Sequence, residues 1–62
     1  MEHGIASVRF GDNSIDAGKD HTIRFLYDNV KNLETAIKLD KNNNLVQQMI
    51  LGTGCIITYK ES

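Results

Sequence analysis

The stretch from Thr22 to Leu45 limits the fold more than any other part of the chain. Two short alternating runs, TIRFLY at 22–27 and ETAIKL at 34–39, are each closed by an Asn-rich polar turn, at 28–33 and 40–44. Period-two alternation over six residues is the signature of a strand with one face turned to a core. Asn tolerates the left-handed backbone that tight reversals need and is a poor helix former. Segments this short between such turns point to an all-β module of short antiparallel strands and hairpins.

The flanks repeat the pattern. In GIASVRF, Ala6, Val8 and Phe10 share one side, and Gly11-Asp12-Asn13 supplies turn chemistry. Residues 14–20 read as a polar connection with a single apolar peg, Ile15. In the next run Ile23, Phe25 and Tyr27 fall together, opposite Thr22, Arg24 and Leu26. Leu26 spoils an otherwise polar face, so both faces of this strand are expected to be partly covered; in an oligomer the second could meet a neighbouring subunit. CIITY, at 55–59, is a further strand, entered through a flexible hinge or a sharp reversal at Gly52-Thr53-Gly54; residues 60–62 read as a frayed end.

One region admits a second reading. Val30, Leu33, Ala36 and Ile37 also fit a helical stripe capped by Asp28 or Asn29, and Leu45, Val46, Met49 and Ile50 one closed by Gly52. A small α+β fold with helices near 29–40 and 44–51 is therefore the alternative. The brevity of these stripes and the run Asn42-Asn43-Asn44 favour strands.

Sixty-two residues make a single small domain, 1–62. A chain of this length buries only about 60% of its unfolded surface and gains from disulfides, metal or self-association. One cysteine makes no internal disulfide, so self-association is the expected support. Seven basic and eight acidic residues are interspersed for a net charge of -1, which gives no electrostatic footprint for nucleic acid. No apolar run is long enough for membrane insertion as a helix, and no stretch reads as a secretory leader. A lone cysteine fits a chain made in a reducing cytoplasm.

Chemistry is hard to find. Asp12, Ser14, Asp16 and Asp20 invite a calcium loop, but Ala17 and Ile23 stand where an EF-hand needs Gly and Glu. A loop begun at Asp40 fails likewise at Leu45 and Leu51. His3, His21 and Cys55 lack the spacing of zinc ligands or of a nucleophile pair. Gly52-x-Gly54 is too short for a phosphate loop and precedes a strand. Arg9, Arg24 and Phe25 make only a thin nucleic-acid platform. The reading is a non-enzyme with no catalytic, cofactor-binding or metal residue, no cofactor, and no nucleic-acid partner.

Between Ile23 and Leu45 the chain resembles a segment found in bacteriophage tail-fibre and receptor-binding proteins. The resemblance lies in Ile23-Arg24-Phe25-Leu26-Tyr27-Asp28-Asn29, in Thr35-Ala36-Ile37-Lys38-Leu39-Asp40, and in Asn44-Leu45, with Val8-Arg9-Phe10-Gly11 in the same style. It covers about residues 8–45. Val30 and Asn43 stand where such segments usually show glycine, so the turns are expected to differ. The resemblance implies a structural or adhesive module of a virion, made in the host cytoplasm and assembled as a homotrimer. Ile23, Phe25, Ile37 and Leu39 would be its buried staves. Host attachment would fall to exposed loops at 12–20 or 28–33. The competing reading is a small phage-encoded inhibitor or regulator that binds a host protein through a β edge.

Overall fold

A computed structural model describes residues 4–61, and the all-β expectation holds. Six strands follow in chain order: β1 (Ile5–Phe10), β2 (Asn13–Asp16), β3 (Thr22–Asp28), β4 (Leu33–Leu39), β5 (Leu45–Leu51) and β6 (Ile56–Tyr59). They form two antiparallel three-stranded sheets, ordered β2-β1-β6 and β3-β4-β5. The chain makes the β1–β2 hairpin, crosses to the second sheet, runs through β3, β4 and β5 as a meander, and returns to add β6 beside β1.

Turn chemistry sets the registers. Gly11 and Asp12 join Phe10 to its partner Asn13, with Gly11 at φ 62 and no positive φ at Asp12. Glycine in the first central position is the mark of a type II′ hairpin turn, whose twist matches that of the strands. In the β3–β4 turn it is Asn32, at φ 56, that takes the left-handed position, which leaves Val30 in an ordinary conformation for a β-branched residue. Asp28 Oδ1 accepts from the amides of Val30 and Lys31, at 2.9 and 3.1 Å, and Tyr27 donates its hydroxyl to Asn32 Oδ1. Asn43, at φ 66, does for the β4–β5 turn what glycine usually does.

Asp40 organises that last turn. Its Oδ1 accepts from the amides of Asn42 and Asn44 at 2.8 and 2.9 Å, while its backbone N–H and C=O bond Asn44 and Asn43. The hydrogen bond from the Asn44 amide, more than any other influence, holds its carboxyl below the usual range. The turn feeds a bulge: Leu39 faces Leu45 while Lys38 faces Gln47, which makes Val46 the extra residue.

The core lies between the sheets. Val8, Ile15, Ala17, Ile23, Ala36 and Leu51 are buried, with Ile5, Phe10, Phe25, Met49 and Cys55 packed around them. Cross-strand pairing builds it, with Val8 between Ile15 and Ile57, and Ala36 between Phe25 and Met49. Two side chains tie the layers together. Lys38 reaches from β4 to donate its Nζ to the Asp16 carbonyl at 2.6 Å, and Phe10 lies on the backbone of Gly52. A Cβ on Gly52 would stand 2.7 Å from the tip of that ring.

Three expectations are corrected and one alternative is excluded. Residues 13–16 are a strand, not part of a loop, because Ile15 pairs with Val8 and drives its neighbours into the ladder. The strand reading holds over the helical alternative: no helix forms near 29–40 or 44–51, where residues 33–39 pair as β4 and 45–51 as β5. Within one chain the buried residue of β4 is Ala36, because Phe25 and Met49 flank it on the inner side; Ile37 and Leu39 point the other way and are only half-buried. Lys60 is not frayed, since its amide donates to the Gly4 carbonyl at 2.8 Å; Ser62 lies outside the described residues.

Candidate interaction surfaces

Alternation gives each sheet an inner and an outer face. On the first sheet the outer face carries Ser7, Arg9, Ser14, Asp16 and Thr58, with Ile56 the one large apolar residue. On the second sheet the outer face runs in rows across the strands. Thr22, Leu39 and Leu45 form one row, Arg24, Ile37 and Gln48 the next, then Leu26, Thr35 and Ile50, and last Asp28 and Leu33. Leu26, Leu33, Leu45 and Ile50 are exposed there, together with Val46 at the bulge. Ile37 and Leu39, on the central strand, are shielded only by these neighbours. A contiguous apolar patch spanning three strands is uncommon on a small monomer and usually marks a contact surface.

Two further features border this face. Val30 crowns the β3–β4 turn at 94% exposure, on a loop pinned by Asp28 and Asn32. Between the β2 and β5 edges runs an open groove lined by Phe10, Asn13, Ser14, Gln47, Gln48, Met49 and Ile50. Its walls mix neutral amides and a hydroxyl with Phe10, Met49 and Ile50, and no charged side chain is among these lining residues. The β5 edge itself, LVQQMIL, carries no charge.

The residues weighed for chemistry are scattered. Asp16 Oδ1 accepts from the Gly18 amide at 3.3 Å, and Asp20 has a positive φ of 62°, so these acids serve the crossing between the sheets. Among the described residues no group of three or more His, Cys, Asp or Glu is placed to hold a metal. His21 bonds the Lys19 carbonyl through Nδ1 at 2.6 Å; His3 lies outside the described residues. Cys55 is half-buried where the chain returns to the first sheet, packed against the core. Arg9 and Arg24 stand on opposite outer faces and Phe25 turns inward, so the three do not converge.

The sequence signal for the outer face was Leu26, together with Leu33, Thr35, Ile37 and Leu39 at alternate positions. The groove had no such signal, because it joins residues 13–14 to 47–50 across two sheets.

Comparison with family models, curated proteins and solved structures returned no match.

Proposed function

We propose that the chain is a non-enzymatic structural or adhesive β module that works by associating with copies of itself. One observation carries this reading: the outer face of β3-β4-β5 exposes four large apolar side chains, Leu26, Leu33, Leu45 and Ile50, as many as are buried among the described residues, Val8, Ile15, Ile23 and Leu51. Covering that face removes apolar surface from water and adds a second hydrophobic layer to a molecule whose interior is small. The resemblance of residues 23–45 to tail-fibre segments supplies the setting, a phage or prophage particle, and the expectation of three copies rests on that resemblance alone. In this setting the turn bearing Val30 is an exposed, pinned loop suited to contact with a host surface.

The mass of the purified chain in solution tests the reading. Sedimentation equilibrium across the micromolar range is expected to give a multiple of 7.0 kDa; a constant monomer mass would contradict it.

The open edges favour a second reading, a regulator that captures an extended segment of a host protein. β5 is seven residues long, uncharged, and without a strand partner on its outer side among the described residues, the type of edge that accepts an added strand. A monomeric chain that retains one specific host protein on an affinity column, and loses it when β5 is altered, would favour this reading over the first.

A further inference from the structure

We infer that the outer face of the second sheet is a twofold, face-to-face contact between two copies of this chain, with the axis lying along the row Leu26–Thr35–Ile50. The inference rests on the self-association reading, specifies its surface and register, and replaces the threefold expectation of the resemblance with a twofold pair.

Size allows it. Three seven-residue strands, about 4.8 Å apart and rising about 3.3 Å per residue, present a face of roughly 23 by 14 Å. Two such faces cover about 640 Å² in flat projection and, with side-chain relief, remove on the order of 1,000 Å² from water, the threshold for a specific though weak interface. Sheets packed this way stand about 10 Å apart with their strands some 30° from alignment. That spacing admits one interdigitated layer of Leu, Ile and Val side chains.

Charge fixes the register. The face bears two charged residues, Arg24 and Asp28, both on β3 and one row to either side of Leu26. An axis along the Leu26–Thr35–Ile50 row reverses β3 upon β3 of the second copy. Arg24 then faces Asp28 of the other chain, and Asp28 faces its Arg24. The same operation lays Ile37 over Leu33 and sets Leu26, Thr35 and Ile50 each over its own counterpart. It also carries the Val30 turn of one copy toward the Leu39–Leu45 end of the other. Moving the axis by one row, to Arg24–Ile37–Gln48, would instead oppose Arg24 to itself, which like-charge repulsion disfavours. Asp28 remains free to do this while capping its turn, because both turn amides engage Oδ1.

Two equally exposed residues make the test. Leu26 and Ile56 are each 54% exposed, on the outer faces of the second and first sheets. Leu26→Lys is expected to raise the dimer dissociation constant at least tenfold in sedimentation equilibrium, whereas Ile56→Lys leaves it within about twofold. Arg24→Glu is expected to weaken the pair by several-fold, an effect that shrinks as salt is added. Circular dichroism of each variant at low concentration checks that the β fold persists. Thr35→Cys in a Cys55→Ala background gives an independent reading, since a short bismaleimide should join two chains through the introduced thiols. Equal loss with Ile56→Lys, an unaffected Leu26→Lys, absence of the cross-link, or a mass of three copies would each overturn the twofold pair. Association that survives Leu26→Lys sinks this interface alone. A wild-type monomer at every concentration sinks the self-association reading with it.

Discussion

The two sheets solve the same local problem and differ on the side that does not meet the core. Each buries its inner face against the other, Val8 and Ile15 from one and Ile23, Ala36 and Leu51 from the other. On the outside, the first sheet presents Ser7, Arg9, Ser14, Asp16 and Thr58 with Ile56 as its one large apolar residue, while the second presents Leu26, Leu33, Ile37, Leu39, Leu45 and Ile50 among Thr22, Arg24, Asp28, Thr35 and Gln48. The first sheet is finished as a solvent-facing layer. The second is patterned for cover on both sides, which antiparallel sheets require only when something packs on each. The difference teaches that the hydrophobic inventory of this chain exceeds what one copy can bury.

Breaking the shared core should have the largest effect. Ile15→Ala opens a cavity at a fully buried site and is expected to cost about 2–5 kcal/mol, a large part of the stability of so short a chain. Ile50→Ala, on the outer face at 58% exposure, should change unfolding of the dilute chain by less than about 1 kcal/mol. Urea titrations at two protein concentrations separate the cases: the first variant is weak at both, the second only where copies associate.

Gly52→Ala probes the join between the sheets. The added methyl group must displace the Phe10 ring from the inter-sheet edge, at a cost of about 1–3 kcal/mol. A Phe10→Leu, Gly52→Ala double variant should recover part of that loss, because the shorter side chain removes the clash. Lys38→Met keeps the aliphatic stem but removes the bond to the Asp16 carbonyl, and about 0.5–1.5 kcal/mol is expected for this partly exposed clamp. Thermal unfolding measures both.

The smallest effect belongs to the β4–β5 turn, at one end of the apolar face. Folding lowers the Asp40 carboxyl below its ordinary value, so the stability it contributes is complete above the usual carboxylate range. That contribution is lost as pH falls through the depressed folded value. Asp40→Ala should therefore narrow its gap from the wild type below about pH 4, where the unfolded chain's carboxyl takes up protons before the folded one does. An unchanged gap down to pH 2 would count against this role.

Much of the fold was legible because strands declare themselves by alternation. Val8 and Phe10 lie on the inner side as their spacing indicates, although a register shift at Ala6 brings Ile5 rather than Ala6 against the core, and the Asx-rich turns close the hairpins. β2 was hidden because NSID has one apolar residue and no alternation to count; only its pairing with β1 makes it a strand. Which face of β4 is inner was also hidden. Ile37 and Leu39 outweigh Ala36 in hydrophobicity, yet the small residue is buried because Phe25 and Met49 close over it. Local pattern marks two faces, and only the packing of the other sheet tells which is inside. The apolar outer face left a trace in Leu26, whereas the β2–β5 groove is a product of topology and left none.

The direct test of a finished face and an unfinished one is residue-resolved. Amide chemical shifts recorded while the chain is diluted from millimolar to micromolar concentration should move for Leu26, Thr35, Ile37 and Ile50. Those of Ser7, Arg9, Ser14 and Thr58 should hold still. Movement confined to the first sheet, or shared equally by both, would contradict the account.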